Sequence, residues 1–124
     1  MTFQKNTPYT RSDIQRAVGG ELQTYLPQKQ HRILAGCFSS ELNPLAPNEI
    51  YAGKKPKVVA KAELLADQPE NRFPVFVRRN NDYFFEGYFA FQSLSNAPLD
   101  IQIAEKMSNR IDQLSYVIRL KALP

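Results

Sequence analysis

The chain has one cysteine, one histidine and no tryptophan in 124 residues. Cys37 alone cannot close an intramolecular disulfide, which suits a reducing compartment and sets the expectation of a cytoplasmic protein. One Cys and one His cannot furnish a zinc set. A Ser-His-Asp arrangement would have to be built on His31, and no nucleophile-elbow pattern accompanies it. "PQKQHRI" sets His31 at a loop-to-strand junction instead. Cys37 lies in an apolar run, where a thiol is most often an inert small hydrophobe. The five glycines form no phosphate cradle, because "VGGE" follows a helical pattern when it should open one. Asp and Glu occur singly, and spacing places no two of them as a hydrolytic pair. These absences disfavour an enzyme and leave no metal or cofactor to expect. No run of about 18 apolar residues is present, and "MTFQKNTPYTRSD" lacks the apolar centre of a secretory signal, so no membrane partner is expected.

What is present fits one domain, 1–124, with residues 1–9 as a flexible arm. The formal charge is +4. Five basic residues (Lys5, Arg11, Arg16, Lys29, Arg32) stand against two acidic ones (Asp13, Glu21) in residues 1–39, so most of the excess lies there. A modest basic excess is compatible with a polyanionic partner.

"TRSDIQRAVGG" reads as a helix. Thr10 or Ser12 can cap it, Ser12 with Gln15 fits a capping box, Asp13 suits the dipole, and Gly19–Gly20 end it with Gly19 left-handed. "RILAGCF" and "IYAG" read as strands separated by the proline-rich loop "SSELNPLAPNE". "KPKVVAKAELLADQ" favours a helix with Pro56 in its first turn. "FPVFVRR" and "YFFEGYFAF" are the clearest strands, turning at "NND". Simple alternation puts Tyr83, Phe85, Phe89 and Phe91 on one face, Phe84 and Tyr88 on the other. Gly87 suggests a bulge or bend. "PLDIQIAEKMSNR" offers a helix capped by Asp100, and "LSYVIRLKAL" a last strand. The expected class is α+β: a small, strongly bent antiparallel or mixed sheet, or pseudo-barrel, of about five strands with two or three short helices.

Basic groups recur beside aromatics. Arg78 and Arg79 precede the aromatic strand; Lys54, Lys55 and Lys57 follow Tyr51; Lys29, His31 and Arg32 follow Tyr25. Proteins that hold an unpaired base combine cations on the backbone with rings on the base face. The bland alternative is that the rings are core and the cations a solvated rim, and for any single ring of 83–91 core is the better expectation.

The order of landmarks resembles small domains found beside restriction-type endonucleases, themselves similar to the SRA and PUA-like modified-base readers. The resemblance rests on Arg11, Asp13, Ile14, Gly19, Gly20, Asn43, Pro44, Pro47, Pro74, Phe76, Tyr83, Gly87 and Tyr88, and covers about residues 9–91. It implies a non-catalytic DNA-binding module that reads a modified or flipped base in a restriction or defence setting. Arg11, Lys29, Arg32, Lys54, Lys55, Lys57, Arg78 and Arg79 would neutralise phosphates. Tyr51, Tyr83, Phe84 and Tyr88 would hold the base, and Asn43 or Asp82 would read its edge. DNA would be the partner. Since one histidine builds no HNH nuclease here, cleavage would fall to a separate nuclease. The competing expectation is a protein-interaction or accessory module docking through exposed aromatics and arginines.

Overall fold

The strand that carries most of the rings also organises the sheet. A computed structural model describes residues 2–124. In chain order its elements are β1 (Pro8–Tyr9), α1 (Arg11–Val18), β2 (Gln28–Lys29), β3 (Arg32–Ile33), β4 (Gly36–Ser39), β5 (Glu49–Gly53), α2 (Pro56–Ala66), β6 (Phe73–Arg79), β7 (Asp82–Ser95), α3 (Pro98–Ser108) and β8 (Leu114–Ala122). The six-stranded mixed sheet runs β4-β6-β7-β8-β5, with β1 attached to β7. β2 and β3 form a separate hairpin. β4 pairs with β6 in parallel and the other pairings are antiparallel. The class is therefore α+β as expected, but the sheet is open: β4 and β5 are its unpaired edges, so it is not a closed barrel. No described helix is long and apolar enough to cross a membrane.

Helices cover both faces, which explains strands that are apolar on both sides. On one face Phe38, Ile50, Phe73, Val75, Phe89 and Ile118 pack with Ala62 and Leu65 of α2. On the other, Ile14 of α1 packs with Cys37, Phe76 and Phe85, while Ala104 of α3 packs with Tyr51, Leu114 and Val117.

Gly87 decides which ring goes to which face. The register pairs Phe76 with Phe85 and Val75 with Gly87, so Glu86 is the extra residue of a β-bulge. Phe76 and Val75 point to opposite faces, so Phe85 and Gly87 must as well. Phe89 consequently joins the α2 side and Phe85 the α1 side, which corrects the simple alternation that put them together. The bulge needs φ of 117° at position 87, where glycine has no Cβ to obstruct it.

Three local details also differ from expectation. The capping box is not Ser12–Gln15: of the two possible caps Thr10 is the N-cap of α1, its hydroxyl accepts from Asp13 N–H, and the Asp13 carboxylate accepts from Thr10 N–H. The capping box is Thr10–Asp13 because the helix begins one residue before Ser12. α3 begins after Ala97 with Pro98 at its first position, so Asp100 is inside the first turn, where its Oδ2 accepts from Ser95 Oγ at 2.5 Å. Finally, within the segment 1–9 expected to be a loose arm, the described part is attached, residue 1 lying outside the described residues. Pro8 and Tyr9 pair with Phe84 and Tyr83, and the Phe3 ring stands edge-on to Phe76 with centroids 4.8 Å apart. Burial of that ring offsets the entropy of ordering the segment.

Candidate functional site

The two unpaired sheet edges approach each other, and one amide spans the gap. Asn43 Nδ2 donates to Ser39 O of β4 at 3.0 Å, and its Oδ1 accepts from Tyr51 N–H of β5 at 2.8 Å. Asn43 is 6 % exposed, so these bonds form away from water. Other groups bond further edge atoms: Tyr25 O accepts from Cys37 N–H of β4, and Arg110 Nη1 donates to Tyr51 O at 3.0 Å. Side chains and a loop thus do what a neighbouring strand would do, and the seam is left as a cleft.

The cleft has a volume of about 990 Å³. It is bordered by the first turn of α1, residues 22–25, β4, the end of β5 with the start of α2, the β6–β7 hairpin, and residues 110–113. Five cations line it: Arg11, Lys54, Lys55, Arg78 and Arg110. The one carboxylate on its lining among the described residues is Asp112. Every described ion pair uses some other cation, namely Arg16, Lys61, Arg79 or Arg119. The cleft therefore concentrates unpaired positive charge, and its low-dielectric walls strengthen the field there.

Arg11 holds a buried donor. Its Nη2 donates to Glu21 O at 2.8 Å, while Nη1 is shielded from solvent and meets no acceptor among the described residues. A buried donor left in that state is costly. Its neighbours supply no acceptor of comparable strength. Burial pushes the Cys37 thiol up to about 12, with Arg11 opposing, and it stays a neutral thiol. Burial also raises Tyr83, against Arg78 and Arg11, so its phenol keeps its proton and can donate. Burial lowers the Arg110 pKa from its ordinary value, yet a guanidinium stays charged at any physiological pH.

The sequence-based candidates divide sharply. Arg11, Lys54, Lys55 and Arg78 line the cleft, as do Asn43, Tyr51 and Tyr83. Lys29 and Arg32 lie on the β2–β3 hairpin and Lys57 on α2, all exposed and outside the cleft lining. Arg79 sits next to Arg78 but alternates to the other side, where Nη1 meets Glu86 Oε2 at 3.0 Å. Asn43 is spent on the two edges and has little left to read a base. Tyr51 is 3 % exposed; its hydroxyl donates to Glu49 Oε1 at 3.3 Å and its ring belongs to the core beside α3. Burial and then the Glu49 charge push the Tyr51 phenol up to about 12. Phe84 lines a second, smaller cavity with Lys5 and Arg79, Tyr88 is exposed against Phe85, and Asp82 sits exposed at the hairpin end. Of the rings in 83–91, then, Tyr83 alone lines the cleft, and most of the others fill the core.

Tyr25 and Arg110 are among the lining residues that were not anticipated. Tyr25 is half-buried on the cleft, its hydroxyl donating to Val58 O at 2.6 Å, so its ring is held in place while the phenol is occupied. Arg110 was read as the tail of a helix. Asn109, with φ of 56°, ends α3 in the left-handed conformation and turns the chain back toward β5. An asparagine closing a helical pattern is the signal that could have detached Arg110 from the helix.

Comparison with family models, with curated proteins and with solved structures finds no match to this chain.

Proposed function

We propose that the chain is a non-catalytic nucleic-acid-binding module whose cleft holds the phosphate backbone around an unpaired or extruded base. The observation that carries this reading is the set of five cations, unpaired among the described residues, on one cleft beside the half-buried rings of Tyr25 and Tyr83. Cations without acidic partners are available to phosphates, and a ring face contributes about 1–3 kcal/mol per stacked base. The volume is also at the scale of sites that enclose a small organic ligand. Kinship with the SRA and PUA-like readers, preference for a modified base and a separate nuclease in a restriction or defence setting are proposed on the sequence landmarks.

Salt titration tests the reading. If all five cations meet phosphates of a single strand, log K falls against log salt with a slope of about −3.5. Affinity then drops on the order of a hundredfold from 50 to 200 mM salt. A flat response, or no binding of single-stranded or modified DNA at low salt, refutes it.

A protein-contact reading draws on other residues than those first considered, since most of the rings are enclosed. Leu99, Ile103 and Met107 repeat every four positions along α3 and are 68 %, 51 % and 46 % exposed. Replacing Ile103 by Asp separates the two readings, because on the nucleic-acid reading oligonucleotide affinity is unchanged.

A further inference from the structure

We infer that the cleft takes a nucleotide by both of its flanking phosphates, one on each wall. This rests on the nucleic-acid reading and specifies the unit bound. The five cations are not one patch. Arg11 and Arg78 belong to the β4–β6–β7 wall: Arg78 is the register partner of Tyr83, and Arg11 begins α1, which packs through Ile14 on Cys37, Phe76 and Phe85. Lys54, Lys55 and Arg110 belong to the β5 wall: the lysines follow Gly53 directly, and Arg110 Nη2 lies 3.5 Å from where a Cβ on Gly53 would be. β4 and β5 are the opposite ends of the sheet path, so the two groups stand on opposite walls, which the Asn43 bracket joins.

Each wall can seat an anion in its own way. On the first, the charge of Arg11, the guanidinium of Arg78, which holds no ion pair among the described residues, and the Tyr83 hydroxyl come together with no carboxylate among them. That is a receptor for an oxyanion with several acceptor oxygens. On the second, two lysines form a more open seat, and Arg110, whose Nη1 is held by Leu42 O and Tyr51 O, has its other nitrogens to offer. A phosphate or a diphosphate alone fills a small part of a cleft of about 990 Å³. A nucleoside carrying phosphates at both its 3′ and 5′ positions offers one to each wall and brings a base to the Tyr25 and Tyr83 rings.

Calorimetry with the full chain at low salt compares thymidine 3′,5′-bisphosphate, thymidine 5′-diphosphate and thymidine 5′-monophosphate, beside an oligothymidylate of about eight nucleotides. The 3′,5′-bisphosphate is expected to bind at least about tenfold tighter than either of the other two, since its second phosphate gains charge-assisted bonds on the far wall. The 5′-diphosphate carries similar charge on adjacent phosphates and controls for charge alone. Replacing both exposed lysines (Lys54→Gln, Lys55→Gln) should remove most of that advantage, and Arg11→Gln should do so from the other side. Equal affinity for the 3′,5′-bisphosphate and the 5′-diphosphate overturns the two-wall assignment. So does an oligonucleotide that binds while the bisphosphate gains nothing over the monophosphate. If the oligonucleotide itself does not bind, the nucleic-acid reading falls and this inference with it.

Discussion

Replacing Asn43 by Ala removes the one side chain that bridges the two sheet edges. Two hydrogen bonds go with it, one to Ser39 O at 3.0 Å and one from Tyr51 N–H at 2.8 Å. The two ends are not equivalent. Ser39 O keeps a bond from the backbone N–H of residue 43 at 3.0 Å and remains satisfied. Tyr51 N–H, on a buried residue, is left with nothing to donate to. The lost amide bond is worth about 0.5–1.5 kcal/mol and the orphaned donor about 1–3 kcal/mol. Together they put the expected destabilisation at about 1.5–4.5 kcal/mol. Urea unfolding measures it as a fall in midpoint at constant slope. Asn48→Ala is the control: that side chain is exposed on the same loop, and its replacement should cost less than about 0.5 kcal/mol. If the two variants unfold together, the edge strands do not depend on the bracket and the cleft's geometry has another origin.

Three further outcomes follow from the same coordinates. Gly87→Ala should destabilise by about 1–3 kcal/mol in urea, through backbone strain at φ 117° and not crowding, since the nearest atom to an added Cβ is 3.9 Å away; an unchanged midpoint contradicts the bulge. Burial raises the Glu21 pKa, but the bonds from Gln28 N–H and Lys61 outweigh it and hold the carboxyl at about 2, against an ordinary 4.5. A depressed acid stabilises above its unfolded value and stops doing so as pH falls through its folded one, so the stability gap between the native chain and Glu21→Gln should be full above pH 4.5 and close toward pH 2. A gap that does not change with pH removes that linkage. The Cys37 thiol, 5 % exposed and pushed up to about 12 by burial, should react with a disulfide reagent at pH 8 at least about a hundredfold more slowly in the native chain than in urea; equal rates would place it at the surface.

Much of the architecture is legible in the sequence, because the signals involved are local. Thr10 is one of the two caps the sequence offers and Gly19–Gly20 closes the helix; Pro56 opens α2; the paired aromatic runs and Asn80, with φ of 60°, make the hairpin. What escapes sequence reading is set by a single residue acting on register or by contacts between distant segments. Glu86 is one extra residue in β7, and it moves Phe89 to the face opposite Phe85. Nothing in composition reports that Asn43 would meet Tyr51 eight positions on, or that Arg110 would reach Tyr51 O across 59 positions. The adjacency of Arg78 and Arg79 suggested one shared role, yet strand alternation gives them different surroundings. Tyr51 read as a ligand-facing ring because lysines follow it. Those lysines do line the cleft, while the tyrosine ring turns to α3.

That separation of neighbouring arginines gives the most direct test of the claim that cleft cations bind nucleic acid. Arg78 is half-buried on the cleft lining and, among the described residues, holds no ion pair; Arg79 is bound to Glu86 outside it. Affinity for a single-stranded oligonucleotide should fall by about tenfold or more in Arg78→Gln, the loss of one charge-assisted phosphate contact, with the salt slope shallower by about 0.7. In Arg79→Gln it should stay within about twofold. Equal losses in the two variants, or none in Arg78→Gln, would contradict the account.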